Sequence, residues 1–545
     1  MNNLVVAFVS FFLATGAVAI NFEFDIDAGL ALPVENPYEE IAQEYEMNQI
    51  EFGSSLNKKP SIDGNVSKRF DIGAVKVSNV NSHGLHEFTP ISDTIVQSDT
   101  KYYSFSVNTT SGLGEFYELL IFITGNICTQ PSNVGANQTS LAVYYSFNSS
   151  IFTNIEYSTM VLFENGYVQS LADVAVNSNN NESVLYIVVR APENVNKTAT
   201  WTYQIGVSQN DLVFQWDDQT WAQFIDSDDD SALVVTGNLT NVQGLNITEL
   251  NATRSQFSLY VYSNDYRHYF DTLNSSWCAV RNGPALMNPA TIESSYTSRQ
   301  GSLHQQFHLT GLNKSTKYIA YLISDFHGSD FGGAVYRPFE FETLDTEACE
   351  LIYNLEFCNQ IAYSVPATPG GSKEEVRSLY DNQARNLFTN FSKAIQQISC
   401  DTEDTAQFSP IKTCSDCISS YKDWLCAITI PRCSTRNITG YTERKPGESR
   451  NSFINDIVMP NLSYYEVMPC VNICEAIVRD CPAQFGFMCP TTNETIRQSY
   501  YWDNGGQWPT CNYVGKLTVV TNAAFRTSMV NWFMLVLSVA LTVLV

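Results

Sequence analysis

Alternation with a period of two dominates the middle of the chain. Tyr103, Phe105 and Val107 are separated by single serines, the pattern of a strand with one buried face. Leu119 to Ile123, Val184 to Val189 and Trp201 to Val207 are short runs rich in β-branched and aromatic residues. Clusters of Asn, Gly and Ser separate them, as turns do. From about residue 86 to 343 no long helical period appears. The span predicts two β-sandwiches of ordinary size, over 86–215 and 236–345. Between them, 216–235 contains Asp226-Ser227-Asp228-Asp229-Asp230 and reads as an acidic, solvated linker. Arg337 to Thr343, with Phe339 and Phe341 alternating, is the last strand of the second sandwich.

Further on, the period changes. Ser372-Lys373-Glu374-Glu375 has the form of a capping box. Val376, Leu379, Tyr380, Leu387, Phe391, Ile395 and Ile398 follow at helical spacing, which predicts one long amphipathic helix. Cys470 and Cys474 are four apart and Cys481 is seven further on. On a second helix these thiols share a face, so each can be bridged to a neighbouring segment. Near the start, Asn36-Pro37-Tyr38-Glu39 reads as a helix start, with Tyr38, Ile41, Ala42 and Tyr45 on one face. Residues 20–85 are therefore an acidic lead segment with one short helix.

Twelve of the fourteen cysteines lie in the last third: Cys349, Cys358, Cys400, Cys414, Cys417, Cys426, Cys433, Cys470, Cys474, Cys481, Cys489 and Cys511. An even number at tight, irregular spacings predicts a disulfide framework formed outside the reducing cytosol. Spacing assigns no partner to Cys128 or Cys278. Leu4 to Ala14 is an apolar core of signal-peptide length, and Ala17-Val18-Ala19 is a small-x-small cleavage site, so 1–19 is a signal peptide. No Lys or Arg precedes that core. Fifteen Asn-x-Ser/Thr acceptors are present: Asn65, Asn108, Asn137, Asn148, Asn181, Asn196, Asn238, Asn246, Asn251, Asn274, Asn313, Asn390, Asn437, Asn461 and Asn493. That number predicts a heavily glycosylated surface. Residues 516–545 end in a charge-free run from Trp532. Asn522-Ala523-Ala524 supplies small residues before a spacer and that run, the form of a lipid-anchor signal with attachment at Asn522. An uncleaved membrane helix is the alternative.

Charge removes several function classes. Thirty basic against 56 acidic residues give −26, which argues against nucleic acid and anionic lipid as partners. No Gly-x-Ser-x-Gly elbow and no His-Glu-x-x-His occurs, so a non-enzyme is expected, with no cofactor and no metal. His304 and His308 read as a satisfied surface pair on a strand. Asp226, Asp228 and Asp230 have the alternation of a calcium loop, but Ser231 stands where its turn glycine belongs. Cys414 and Cys417 read as structural rather than as zinc or redox ligands.

Two local motifs and one whole-chain pattern add a resemblance. Cys349, Cys358, Cys400, Trp424-Leu425-Cys426, Pro431-Arg432-Cys433, Cys470 with Cys474-Glu475, Cys481-Pro482 and Trp508-Pro509-Thr510-Cys511 run in the order seen in frizzled-type cysteine-rich domains. The similarity covers about 349–515, within an expected domain over 346–515. Cys414, Cys417 and Cys489 are additional, and no seven-helix segment follows. The resemblance implies bridges Cys349–Cys433 and Cys358–Cys426 and a mainly helical fold. Leu309-Thr310-Gly311-Leu312, with Tyr318 and Tyr321 after it, resembles the tyrosine-corner segment of fibronectin type III domains. As a whole the chain resembles the fungal Mid-family stretch-activated calcium-channel component. Animal auxiliary subunits of the sodium-leak channel are similar in the same cysteine-rich region. The resemblance implies an auxiliary subunit bound to a four-repeat calcium-channel pore subunit at the plasma membrane. It also implies calcium entry on pheromone, stress or stretch. The alternative is a lipid-anchored surface receptor or wall protein that binds lipid or glycan.

Overall fold

Tyr103, Phe105 and Val107 are buried on the strand Thr100–Asn108, as their alternation requires. The computed structural model describes residues 76–515, apart from 78–79, 109–117, 132–139, 157, 176–181, 194–198, 240–256, 288, 327–330, 400–407, 410 and 505–507. Thr100–Asn108 belongs to a five-stranded sheet ordered His83–Gly84, Thr100–Asn108, Glu182–Arg190, Ala142–Ser146, Thr159–Leu162. A second sheet is ordered Ile91–Val96, Thr200–Ser208, Glu118–Thr129, Tyr167–Ala175. Ile121, Ile123, Trp201 and Tyr203 of the second pack on Tyr103, Leu185 and Ile187 of the first in one core. This is a face-to-face sandwich.

The second sandwich is built the same way. One sheet orders Phe214–Asp217, Gly333–Tyr336, Lys317–Asp325 and Phe257–Ser263, with Phe339–Glu342 also paired to Lys317–Asp325. The other orders Ala222–Ser227, Ser231–Thr236, Ser302–Thr310 and Glu293–Arg299. Val234, Phe307 and Leu309 meet Leu259, Val261 and Phe341 between them. The Tyr318 hydroxyl accepts from the Asn313 backbone N–H at 2.7 Å, which is the tyrosine-corner contact. Helix α1 (Trp277–Asn282) sits between two strands of this sandwich, with Ser276 capping it through the Ala279 N–H.

Residues 216–235 are not a solvated linker. They hold the antiparallel hairpin Ala222–Ser227 and Ser231–Thr236, and Asp228 at its turn is fully buried. The run is acidic because its carboxylates meet cations supplied by the cysteine-rich region, as described below.

That region begins with the hairpin Cys349–Ile352 and Tyr363–Pro366. Helices α2 (Lys373–Ile395), α3 (Cys414–Thr429), α4 (Val471–Asp480) and α5 (Asn493–Ser499) follow. A small sheet of Arg432–Ser434, Tyr464–Val467 and Thr442–Arg444 lies between α3 and α4 in sequence. In α2, Tyr380, Phe391 and Ile395 are buried, but Leu379 and Leu387 are exposed and Ile398 lies past its end. Ser372 stands at the N-cap without a side-chain cap bond, so the expected capping box does not form. A capping box does form at α3, between Thr413 and Asp416. Among the described residues no helix is long and apolar enough to cross a membrane.

Candidate functional site

The cysteines of α4 are bridged in three directions. Cys470, at its N-cap, bonds Cys511; Cys474 bonds Cys489; Cys481, at its C-cap, bonds Cys417 of α3. Cys349 is bonded to Cys433 and Cys358 to Cys426, the two pairings that the frizzled-type order implies. Cys414 is also disulfide-bonded, and Cys400 lies outside the described residues. Sequence spacing pointed to a stapled framework, and the bonds tie every helix except α2 and α5 directly to a neighbour.

Buried polar groups lock the same region. Asp381 of α2 accepts the backbone N–H groups of Phe357 and Cys358, at 2.9 and 2.8 Å. Asp480 ends α4, where a carboxylate opposes the helix dipole. Arg479 holds it below the ordinary carboxylate range, against its burial, and Ser420 of α3 and Lys412 donate to it as well. The Trp424 indole donates to the Tyr500 hydroxyl at 2.8 Å. Both line an open cleft of about 410 Å³ with Leu387, Ile428 and Phe453.

A second set of charges joins this region to the second sandwich. Asp226 accepts from Arg432 at 2.9 Å, and Asp228 accepts from Lys373 at 2.8 Å and from the Leu351 backbone at 3.0 Å. Lys373 also reaches Asp230 and Glu350, at 2.9 and 3.1 Å. Ser364 donates to the Ser227 carbonyl, and Leu233, Leu351 and Ala362 share a small core. Burial raises Asp228, but Lys373 outweighs it and holds the carboxyl below its usual range. Glu350 goes the other way. Burial pushes it up to about 7, because Lys373 is shared and Asp228 and Asp230 repel it. Asp228, Asp229 and Asp230 lie close enough to hold an ion. However, an ammonium already occupies the buried carboxylate, and both Asp228 oxygens are bonded to protein.

The two sandwiches are also joined. Cys128, on the strand Glu118–Thr129, bonds Cys278 of α1. Around that bond Ser276 donates to the Ile127 carbonyl at 2.7 Å and the Trp277 N–H to Asn126 at 3.2 Å. The Phe214 N–H donates to Thr124 at 3.2 Å. Thr124 and Asn126 are fully buried there. Sequence reading left Cys128 and Cys278 unassigned; elimination after the C-terminal framework was the available signal.

The other expected sites fall as follows. Of the acceptor asparagines described with their side chains, Asn148, Asn238, Asn313, Asn390, Asn437, Asn461 and Asn493 are exposed and Asn274 is half-buried. Asn65, Asn137, Asn181, Asn196, Asn246 and Asn251 lie outside the described residues, as does the side chain of Asn108. So do the signal peptide 1–19, the lead helix at Asn36 and the tail 516–545 with Asn522. His304 is buried rather than on the surface, with Nδ1 on the Thr236 carbonyl at 2.8 Å. His308 pairs with Glu293.

Two β-sandwiches, one bonded covalently to the other and one joined by ion pairs to a disulfide-stapled helical region, define a cross-braced, β-rich protein of several domains. A family model described as a stretch-activated Ca2+-permeable channel component matches residues 120–517. The chain belongs to that family. It is 36% identical over 490 residues to the stretch-activated cation channel MID1 of Saccharomyces cerevisiae, covering 81% of this chain and 88% of that one. It is 34% identical over 326 residues to the stretch-activated cation channel yam8 of Schizosaccharomyces pombe, covering 57% and 65%. These relatives are named as channels, not as enzymes, and this chain's role is one in calcium-channel function. A two-domain fibronectin type III segment of chicken tenascin aligns over 40% of the chain at 11% identity, with a TM-score of 0.12, too low to bear on the fold.

Proposed function

We propose that this chain is an extracellular auxiliary subunit of a plasma-membrane calcium channel, required for calcium influx stimulated by pheromone, stress or stretch. Its partner on this reading is the four-repeat pore subunit, and its stapled region, frizzled-like in fold, caps that subunit's extracellular face. The observation that carries the reading is the pair of bonds Cys349–Cys433 and Cys358–Cys426, found where a frizzled-like order implies them, in a chain of this family. Rigidity supports it too. A module braced by at least five such bonds between residues 349 and 511 presents one fixed surface to a partner, at little entropic cost.

Attachment is by the tail, through a lipid anchor at Asn522, and the fifteen acceptors bear glycans. The stapled region has only Asn390, Asn437, Asn461 and Asn493, against eleven upstream, so more of its surface is bare. The receptor alternative has one observation in its favour, the open cleft at Trp424 and Tyr500. The test is deletion of residues 349–515 from the full chain. Loss of both co-purification with the pore subunit and stimulated calcium uptake is expected. Retention of both overturns the reading. Cys474→Ser abolishes uptake, whereas single replacement of Asn148 leaves it unchanged.

A further inference from the structure

One side of the first sandwich is open among the described residues. Thr159–Leu162 ends its five-stranded sheet and Tyr167–Ala175 ends its four-stranded sheet. These strands are consecutive, joined by a turn in which Tyr167 exchanges both backbone bonds with Glu164, so both open edges lie on the same side. Tyr167 turns its N–H and C=O away from the neighbouring strand to do this. The positions of equal parity, Gln169, Leu171 and Asp173, therefore point theirs out of the sheet as well. Among the described residues Gln169 and Asp173 have no backbone partner on that edge. The Tyr145 hydroxyl takes the Leu171 carbonyl at 3.2 Å from inside the sandwich.

Natural edges of this length are guarded by Pro, Lys or a bulge. Tyr167–Ala175 has none of the first two, and its register against Glu118–Thr129 is unbroken over nine pairs. Its only charge is Asp173, in a chain of net charge −26. The side is also apolar. Leu120, Met160, Leu162 and Leu171 are 44, 50, 40 and 46% exposed, and Leu171 lies directly across from half-buried Phe122. Leu120 and Leu171 share the outer face of the four-stranded sheet with Phe122, whereas Met160 and Leu162 lie on the outer face of the five-stranded sheet, with Val161 between them turned to the core.

The outer face beside this edge is already an interface farther along. Phe122 is followed on the same face by Thr124 and Asn126, which the second sandwich covers through Phe214 and Trp277. No glycan acceptor lies within any strand of the four-stranded sheet.

We infer that the edge Tyr167–Ala175 takes an extended, apolar segment of the membrane channel as a fifth strand, seated on Leu171, Phe122 and Leu120. The inference rests on the auxiliary-subunit reading above and adds a second contact to it. Main-chain bonds at Gln169, Leu171 and Asp173 supply affinity, and alternate apolar side chains against Leu171 supply register. The apolar strip of Leu171, Phe122 and Leu120 selects an apolar occupant, and Asp173 beside it disfavours an acidic one. Self-pairing of this edge about Leu171 would set the second sandwich of each copy side by side on one face of a joined sheet. An extended segment brings no such bulk.

Hydrogen exchange of the full chain, alone and in the purified channel complex, tests this without a variant. The amides of Gln169, Leu171 and Asp173 are expected to slow at least tenfold in the complex. Leu171→Lys, on the exposed face, is expected to reduce co-purification with the channel at least tenfold while its disulfide pattern stays native. Unchanged exchange at these amides in an intact complex overturns the inference and leaves the auxiliary reading standing. A wild-type chain that brings down no channel polypeptide overturns both. Slowed exchange in the isolated chain, rising with its concentration and abolished by Leu171→Lys, assigns the edge to a second copy and overturns the inference.

Discussion

The Lys373 ammonium, at the first residue of α2, lies 2.8 Å from a carboxylate oxygen of Asp228, which has no solvent exposure. A cation at a helix N-terminus opposes the helix dipole. It is stable there because three carboxylates of two different structural units, Asp228, Asp230 and Glu350, converge on it. The pair therefore decides how the cysteine-rich region sits on the second sandwich.

Lys373→Met leaves Asp228 buried without its cation. Removing one member of a buried pair costs about 3–5 kcal/mol, and the half-exposed lysine places this case near 3 kcal/mol. A fall in the urea midpoint, with the disulfides intact, is the expected reading. An unchanged midpoint would show that the backbone donors suffice for Asp228.

Glu350 sets a pH dependence. Its folded value, about 7, lies above the ordinary 4.5, so the folded state holds the proton more tightly than the unfolded chain. The stabilising contribution is complete below about pH 4.5 and is lost as pH rises through 7, on the order of 3 kcal/mol in total. Asp228, held low, acts oppositely and loses its contribution only as pH falls below its ordinary range. Thermal melts between pH 5 and 8 should decline for the wild type and flatten for Glu350→Gln. Parallel curves would remove Glu350 from the account.

Cys128 and Cys278 close a loop of 150 residues. Chain entropy alone assigns such a closure about 5 kcal/mol. The double serine variant should melt at a lower temperature by calorimetry, with the first sandwich separating from the rest of the transition. One undivided transition at the original temperature would mean that the Ser276, Trp277 and Phe214 contacts hold the sandwiches together unaided.

Tyr318→Phe removes the hydroxyl that takes the Asn313 N–H. One lost hydrogen bond in a half-buried loop costs about 1 kcal/mol. Denaturant unfolding gives this directly, and the neighbouring acceptor at Asn313 should remain exposed and usable.

Strands whose side chains alternate were legible because burial is written locally: Tyr103, Phe105 and Val107 need only their own pleat. So were the thiols of α4, since spacing alone places Cys470, Cys474 and Cys481 for bridging. The acidic hairpin was not. Asp226 and Asp228 look solvated in sequence because their counter-ions, Arg432 and Lys373, lie 206 and 145 residues away. Ser372 stands at the expected N-cap but makes no cap bond, a side-chain choice that the local sequence does not encode. Cys128 and Cys278 are each isolated from the cysteine cluster, so no spacing rule reaches them.

The bond between them also puts the protein on a clock. Cys278 is synthesised 150 residues after Cys128, a delay on the order of 10–30 s at ordinary elongation rates. The last strand of the first sandwich, Thr200–Ser208, is made only 80 residues into that interval, and for the 70 residues that remain a complete pair of sheets carries a reactive thiol near the end of one strand. Cys349 then emerges only 71 residues behind Cys278. The correct partner has a short head start over the first wrong one, and the speed of the ribosome becomes part of the accuracy of the fold.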